Sequence, residues 1–317
     1  MRVLFLFGHN DKSDATRLCK RVHIDFIKKL IPHVREFHVY GPRAHFVFPH
    51  CCPVRFDEKK MLRSVVREIQ PDVILAYSFF TLRWWLPPDI NLVKVPKAII
   101  EVDYYVVQKR WPDWYKGCGW DLLMQRAYYP QNPIQSVWLP FSASEEFVPF
   151  QNWWDRKARE IAFVGQWKVN GYYQHRREVL HILGSHRLIR NLGPVGHDPY
   201  PRTLARFRYC FADAGRFHTT MAKVFEIMAT GNILLTQWQY GEKQLFGDDP
   251  PYVKYRDNLK DLIPIARSVK AGKYNDLRHR ATEIVNRQHL DQHRITELQE
   301  ILWSLTKGRE VPRKWSH

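Results

Sequence analysis

One stretch of the 317-residue sequence indicates the fold most clearly: Thr219-Thr-Met-Ala-Lys-Val-Phe-Glu-Ile-Met-Ala-Thr-Gly231-Asn-Ile-Leu-Leu235. Its apolar spacing predicts a helix that begins near Thr219 or Thr220, either of which has a side chain suited to capping. Gly231 is typical of a helix end, and the apolar run after it predicts a buried strand. A helix that leads directly into a buried strand is half of an α/β unit.

Two charged residues lie on this predicted helix three positions apart. Lys223 and Glu226 therefore share a face, one turn inside the helix. The free amides of a helix start attract phosphates, so a cation and a carboxylate beside them suit the diphosphate and the ribose of a nucleotide. An ordinary ion pair on a solvated helix face is the alternative.

Strand-like and helix-like segments alternate outward from this stretch in both directions. Apolar runs predict strands at Val3–Phe7, Phe37–Tyr40, Val73–Tyr77 and Ala98–Val102 in the first half, and at Ile161–Val164, Leu188–Ile189, Tyr209–Phe211, Ile233–Leu235 and Tyr252–Lys254 in the second. Helical spacing predicts helices at Ser13–Leu30, Lys59–Ile69, Gln174–Leu183, Thr203–Arg206, Thr220–Ala229, Lys243–Phe246 and Asn258–Val269. This order is typical of parallel sheets with helices on both faces.

A break in the pattern falls at Ser136–Phe150, which carries two prolines and loses periodicity. We therefore predict an α/β fold of two Rossmann-like, doubly wound domains facing across a cleft. The predicted parts are an N-terminal domain at 1–145, a C-terminal domain at 146–290, and a C-terminal helix in 291–317 that returns to the first domain.

Composition narrows the class of protein further. The chain carries a net charge of +17, and 45% of its residues are hydrophobic, which excludes a disordered chain. A field of this sign concentrates polyanions such as nucleic acid, anionic lipid or a phosphorylated substrate. No apolar run approaches the roughly 20 residues that span a bilayer. The 5 cysteines are an odd number without regular spacing, which favours a reducing cytoplasm and provides no zinc-site pattern.

A second candidate ligand-binding turn follows the predicted strand at Ile161–Val164. Gly165 lets a ligand approach the backbone, and Lys168, or the Arg176-Arg177 pair, can meet a phosphate. A plain tight turn is an equally good reading.

The second half resembles glycosyltransferases of the GT-B fold, in particular the family-four and spore-maturation-type branch. The resemblance rests on segments in a shared order: Leu139-Pro-Phe141, Ile161-Ala-Phe-Val-Gly165, Arg176-Arg177, Lys223-Val-Phe-Glu226-Ile-Met-Ala-Thr-Gly231, Asn232-Ile-Leu-Leu-Thr236, Gly241-Glu-Lys-Gln-Leu-Phe-Gly-Asp-Asp249 and Tyr252-Val-Lys-Tyr255. The first half matches only in architecture.

The resemblance implies a nucleotide sugar as co-substrate, no obligatory metal, and roles for several residues. Glu226 would bind the ribose of the donor. Lys223 and the amides of Thr219 and Thr220 would hold the diphosphate, and Gly193 would flank the base. Family-four enzymes often carry a carboxylate eight residues before this glutamate, where this chain has His218. His218 is therefore a candidate contact to the sugar, with a simple polar neighbour of the helix start as the alternative.

The first domain is expected to provide the acceptor site. Asp103 follows an apolar strand, where a carboxylate can take or orient the proton of an acceptor hydroxyl. Glu101 is the alternative, because neighbouring strand positions face opposite ways. The alternative role for either carboxylate is that of a helix cap or an ion-pair partner. Gly8 and His9 are predicted to line the floor of the cleft.

Aromatic and basic residues are interleaved in two stretches of the same domain. The candidate acceptor-binding residues are Trp84, Trp85, Lys109, Arg110, Trp111 and Trp114. Bases stack on aromatic rings while Lys and Arg meet phosphates, so the pattern suits nucleic acid. It also suits the interface of a membrane, without a transmembrane segment.

These observations predict a cytoplasmic glycosyltransferase that moves a sugar to a hydroxyl, with a hydroxylated base in DNA as the favoured acceptor. A lipid-linked or cell-envelope glycan is the alternative acceptor. A non-catalytic nucleic-acid-binding protein with the same architecture is the alternative of a different class.

Overall fold

The computed structural model describes residues 1–8, 18–78, 85–102, 111–128, 136–167, 173–215 and 218–315. The chain divides into two compact units. The first consists of Met1–Pro140 together with Ile295–His317, and the second is Phe141–Arg294.

The first unit is built on a sheet of six parallel strands in the order β2-β1-β3-β4-β5-β6. The strands are β1 (Arg2–Leu6), β2 (Glu36–Tyr40), β3 (Val73–Tyr77), β4 (Lys97–Glu101), β5 (Leu122–Gln125) and β6 (Ser136–Trp138). The described helices are α1 (Leu18–Leu30), α2 (Ala44–Val47), α3 (Leu62–Ile69) and α4 (Trp111–Cys118), with short 3-10 helices at Ile31–His33 and Ile90–Leu92.

The second unit is built on a sheet of five parallel strands in the order β11-β10-β9-β7-β8. Its strands are β7 (Ala158–Phe163), β8 (Ile189–Asn191), β9 (Phe207–Phe211), β10 (Ile233–Thr236) and β11 (Val253–Lys254). A 3-10 segment, Glu145–Arg156, precedes them, and the helices are α5 (Gln174–Ser185), α6 (Tyr200–Leu204), α7 (Ala222–Ala229), α8 (Glu242–Phe246), α9 (Leu262–Lys270) and α10 (Leu277–Gln288). The last helix, α11 (Asp291–Thr306), begins in the second unit and continues in the first.

The central strands form because their sequences are apolar at consecutive positions. Every residue from Val3 to Phe7 and from Val73 to Tyr77 is 0% exposed. A strand buried on both faces in this way is stable only between helices, which is the parallel arrangement observed. The predicted α/β fold class, with two Rossmann-like sheets, is confirmed.

Besides the two short 3-10 helices, four elements of the first unit were not predicted. They are α2, α4, β5 and β6, and β6 falls inside the stretch assigned to the break between domains. β6 has only three residues and forms through its pairing with β5, in which Met124 lies opposite Val137. Pairing between short segments carries no local periodicity, so no pattern along the chain indicated β6.

Candidate functional site

The candidate residues of the second unit lie at the carboxyl ends of its strands. The chain runs from β7 to β8 on one side and then returns to β9 on the other, so the strand order reverses between β7 and β9. Open α/β sheets bind ligands at such a switch point, outside the carboxyl ends of the strands. Gly165 follows β7 here, and Asp213 follows β9.

Gly165 and Lys223 meet at this position. The Lys223 Nζ donates to the carbonyl oxygen of Val164 at 2.6 Å. A Cβ added to Gly165 would lie 2.3 Å from that Nζ, and the Gly165 φ of +148° is rarely adopted by other residues. The amide of Gly165 in turn donates to the carbonyl of Gly193 at 2.8 Å. Three of the predicted donor-binding residues are thus brought together, and the bare glycine makes the room for the ammonium.

A second cation lies beside the same turn. The Arg176 Nε donates to Asp213 Oδ1 at 2.5 Å, its Nη1 donates to the carbonyl of Gln166, and its guanidinium stacks over the Tyr173 ring at 4.0 Å. The Asp213 side chain is 1% exposed, so this ion pair is held inside the unit. Asp213 was not predicted, although a carboxylate two residues after a predicted strand was a usable signal.

Lys223 and Glu226 are not an ordinary ion pair on a solvated face. Glu226 is 6% exposed, and among the described residues the two groups make no ion pair within 4.0 Å. Burial and the neighbouring Arg176 charge lower the pKa of Lys223, whereas burial raises the pKa of Glu226 against the opposing effect of Lys223. Burial therefore disfavours the charged form of both groups, and perturbed titratable groups of this kind are common at functional sites.

A buried tyrosine holds the Glu226 carboxylate. The Tyr200 hydroxyl donates to Glu226 Oε2 at 3.0 Å, and burial beside this carboxylate raises the pKa of Tyr200. No hydrogen bond to Oε1 is formed within the described part of the chain. Tyr200 fixes the orientation of the carboxylate and leaves one oxygen for a further donor. No local pattern in the sequence pointed to Tyr200.

The predicted caps of this helix are wrong. α7 begins at Ala222, its N-cap residue is Met221, and no side chain caps it. The Thr220 hydroxyl instead donates to the carbonyl of Tyr240 at 3.2 Å, and the Thr219 hydroxyl contacts the Met221 sulfur at 3.4 Å. The two hydroxyls that local spacing predicted as helix caps therefore form tertiary contacts instead.

The end of the same helix is as predicted. The Gly231 amide donates to Met228, and the Asn232 amide donates to Ile227, with Gly231 at a φ of +71°. This is a Schellman ending, which favours glycine.

His218 lies in the loop that precedes α7, at the carboxyl edge of the sheet. Its ring stacks on the Trp238 indole with a centroid distance of 4.2 Å and an interplanar angle of 10°. Its Nδ1 is 3.2 Å from the Trp238 carbonyl oxygen, and its Nε2 is 3.7 Å from Asp257 Oδ2. Neither Trp238 nor Asp257 was predicted, because no spacing rule joins residues of three different loops.

The candidate acceptor residues of the first unit lie at the equivalent edge of the other sheet. Glu101 ends β4 and is 2% exposed, and the Ser78 hydroxyl donates to its Oε1 at 3.4 Å. Gly8 follows β1 and is buried. The strand order of this sheet reverses between β1 and β3, so Gly8 and Ser78 flank its switch point.

The two described tryptophans of the acceptor prediction pack against the core. Trp85 makes edge contacts with Tyr40 at 5.7 Å and Phe56 at 5.2 Å, and Trp114 lies 6.3 Å from Trp120. Both are partly buried against one hydrophobic cluster. His9, Trp84, Asp103, Lys109, Arg110 and Lys168 lie outside the described residues, as does the side chain of Trp111.

Clusters of metal-ligating side chains and membrane-spanning helices are both absent from the described residues. Within these ranges no group of three or more His, Cys, Asp or Glu side chains is arranged to hold a metal ion. No helix in the same ranges is long and apolar enough to cross a membrane.

Similar folds occur in several solved proteins. An alpha-glucosyltransferase in complex with UDP and a 13-mer DNA is 10% identical, covers 96% of this chain and 100% of its own, and gives a TM-score of 0.60. Alr3699/HepE from Anabaena, in complex with UDP and glucose, is 12% identical over 96% and 100%, with a TM-score of 0.61. A putative UDP-N-acetylglucosamine 2-epimerase from Listeria monocytogenes is 13% identical over 98% of each chain, with a TM-score of 0.53. Identities this low show the fold alone.

A family model matches part of the sequence. Residues 151–300 match the model of the family described as glycosyl transferase-like. The chain is a glycosyltransferase with the GT-B fold. No curated protein matches the sequence significantly. The predicted enzyme class is thereby confirmed, against the non-catalytic alternative. The family-four or spore-maturation-type branch stays a prediction, as do the roles of the individual site residues in this glycosyltransferase.

Proposed function

We propose that the glycosyltransferase uses a nucleotide sugar as donor and binds it at the carboxyl edge of the second sheet. The observation that carries this proposal is the Lys223 ammonium, which donates to the Val164 carbonyl beside the bare backbone of Gly165 at the switch point and, among the described residues, has no carboxylate within 4.0 Å. A diphosphate placed there would meet Lys223 and Arg176. These cations would stabilise the charge that develops on the leaving diphosphate.

The remaining donor contacts follow from this placement. Glu226 Oε1 would accept a hydrogen bond from a ribose hydroxyl, because Oε2 already accepts one from the Tyr200 hydroxyl. Gly193 would lie beside the base, because its carbonyl oxygen accepts a hydrogen bond from the amide of Gly165, where the diphosphate is placed. In this proposal Lys223 and Arg176 would neutralise the diphosphate.

Calorimetry with UDP, GDP, ADP and dTDP tests the donor site. We expect one of them to bind, and we expect Lys223→Met to weaken that binding about 10- to 100-fold through loss of a charge-assisted hydrogen bond. Lys243→Met is the matched control, because Lys243 is a lysine of the same unit whose side chain is 75% exposed. If no nucleotide binds, or if both variants bind as tightly as the wild type, the donor site is wrongly placed.

For the acceptor, we propose a hydroxylated base in DNA. Support comes from the net charge of +17, which would hold a DNA backbone, and from the fold shared with the DNA-bound alpha-glucosyltransferase. A base within a duplex would have to be flipped out of the stack to reach the enzyme. Glu101, buried at the end of β4 beside Ser78, is the described candidate for orienting the acceptor hydroxyl, and Asp103 is the other candidate.

A lipid-linked or cell-envelope glycan is the competing acceptor, because aromatic and basic side chains also gather at membrane interfaces. The test is mass spectrometry of hydroxymethylated DNA after incubation with the donor panel, together with the salt dependence of DNA binding. A mass increase of one sugar, and an affinity that falls steeply with salt, would support DNA. Absence of DNA binding at low salt, with binding to anionic liposomes, would refute it in favour of the lipid-linked acceptor. A cytoplasmic location, consistent with the free Cys51, Cys52, Cys118 and Cys210, belongs to the same proposal.

A further inference from the structure

An exposed aromatic side chain follows the edge strand β2 of the first unit. Phe46, in α2, is 61% exposed, and the His45 ring lies beside the Phe46 ring at a centroid distance of 4.0 Å. Single exposed apolar residues are common on protein surfaces, so the surroundings of Phe46 decide what its exposure means. Most of its ring faces solvent and can contact a binding partner.

The segment that carries Phe46 is anchored on both sides of it. Gly41 has a φ of +146° and packs so closely on Phe7 that an added Cβ would overlap the Phe7 carbonyl oxygen. On the other side, Phe48 is 2% exposed and meets the Phe7 ring edge-on at 5.4 Å. The Phe48 amide donates to the Ala44 carbonyl at 2.8 Å. The Phe46 ring is therefore carried on a short helix that the core of the unit holds in place.

This segment begins at the edge of the sheet that holds the acceptor candidates. Gly41 directly follows β2, Ser78 directly follows β3, and Glu101 ends β4. In the strand order β2-β1-β3-β4, three spacings of about 4.8 Å each, roughly 14 Å in all, separate the ends of β2 and β4. That length corresponds to roughly four base pairs of a DNA duplex at about 3.4 Å each. One duplex laid along this edge can meet both ends.

The charge around Phe46 suits a polyanion. Residues 41–56 contain Arg43, His45, His50 and Arg55 but neither Asp nor Glu, and these four residues are exposed. Arg43 has a φ of +59°, and strained backbone of this kind is common at ligand sites. A surface with positive charge and no carboxylate attracts the phosphates of a nucleic-acid backbone.

We propose that Phe46 is an apolar wedge that enters the base stack of a DNA acceptor and holds the target base outside the duplex. The inference rests on the proposed DNA acceptor. A base that leaves the duplex loses its pairing and its stacking, and an apolar side chain inserted at the step keeps the duplex open. Arg43 and Arg55 would contact phosphates of the same duplex. A single ring among basic residues favours DNA over a bilayer, since an amphipathic membrane contact uses a broader apolar face.

Phe46→Ala and Phe46→Gln both remove the ring, and the polar glutamine suits an exposed position. Phe46→Trp keeps an aromatic ring and is expected to behave as the wild type. Leu92→Ala is the matched control. Leu92 is a 51% exposed apolar residue of the same unit, in the segment that leads into the amino end of β4.

Two readouts at saturating DNA report whether the target base is outside the stack. The first is kcat for transfer of the sugar to a duplex with one hydroxymethylated pyrimidine. The second is the emission of a fluorescent pyrimidine analogue at the target position, which rises when the analogue leaves the stack. We expect Phe46→Ala and Phe46→Gln to lower kcat about tenfold and to lose most of the rise in emission. Leu92→Ala should change neither.

A duplex with a mismatched target base distinguishes a wedge from a general structural role. A mismatched base costs less to extrude, so it should be outside the stack with or without the Phe46 ring. On this duplex we expect kcat of Phe46→Ala to lie within about twofold of the wild-type value. Rates are divided by the concentration of folded protein, taken from melting curves, so partial unfolding cannot imitate the result.

The outcomes separate this inference from the function on which it rests. If the wild type neither binds nor modifies the hydroxymethylated duplex, the proposed DNA acceptor is refuted. If it modifies the duplex and both variants without the ring keep the wild-type kcat and emission, only the wedge is refuted. Equal losses on paired and mismatched duplexes would also overturn the wedge. Binding of the wild type to phosphatidylserine liposomes but not to DNA, weakened by Phe46→Ala, would assign the ring to a membrane surface and refute both.

Discussion

Replacement of Gly165 by alanine tests the arrangement on which the donor site depends. The added Cβ would lie 2.3 Å from the Lys223 Nζ, at a backbone φ of +148°. The ammonium would have to retreat by about 1.2 Å to reach an ordinary contact of about 3.5 Å. The side chain is flexible enough to do this, but it would leave its position beside the Val164 carbonyl.

The expected effect has two components. The unfavourable backbone conformation is expected to lower the free energy of unfolding by about 1–3 kcal/mol. Displacement of the cation is expected to remove a charge-assisted hydrogen bond to the diphosphate, worth about 1.5–3 kcal/mol, which weakens nucleotide binding about 10- to 100-fold. Urea unfolding measures the first component, and titration calorimetry with the nucleoside diphosphate measures the second.

Gly184→Ala is the matched control, because Gly184 lies within α5 and its added Cβ would meet nothing within 4 Å among the described residues beyond its chain neighbours and the backbone of its own helix. We expect it to be neutral or slightly stabilising, since alanine is the better helix former. In a Lys223→Met background, Gly165→Ala should still destabilise the fold but should weaken nucleotide binding no further. Wild-type stability and affinity in Gly165→Ala would refute this account of the turn.

Three further predictions concern the charged groups. Because the pKa of Lys223 is lowered, the wild-type affinity for the diphosphate should fall as pH rises through that lowered value, and Lys223→Met should abolish this dependence in calorimetry across pH. Burial raises the pKa of Glu226, so the contribution of this group to stability should be fully present below its unfolded pKa and should be lost as pH rises through the folded pKa. Glu226→Gln should remove this component from the pH dependence of urea unfolding. Tyr200→Phe removes the 3.0 Å hydrogen bond from the Tyr200 hydroxyl to Glu226 and should raise the pKa of Glu226 further. Urea unfolding across pH should then show a steeper loss of stability as pH rises. An unchanged dependence of stability on pH would contradict this hydrogen bond.

Much of the fold was predictable because the strands are apolar at consecutive positions. Val73–Tyr77 appeared as a strand in the sequence and is one in the structure, with the same bounds. Gly231 ended the predicted helix at the observed position, since only a residue that accepts a positive φ closes a Schellman ending readily. The start of the same helix was predicted wrongly, because the hydroxyls of Thr219 and Thr220 form contacts across loops.

The sequence by itself determined that Lys223 and Glu226 lie on one helix beside a strand end, in a glycosyltransferase of the GT-B fold. Regular spacing and short-range capping are local properties, and they can be read along the chain. Only the tertiary structure decided that the Lys223 ammonium lies against the backbone at Gly165 instead of pairing with Glu226. It also decided that Tyr200 donates to the Glu226 carboxylate and that His218 contacts Trp238 and Asp257. These contacts join loops that follow different strands of the sheet. The physical reason is that a parallel sheet brings the carboxyl ends of its strands to one edge in an order set by pairing, which no spacing along the chain records.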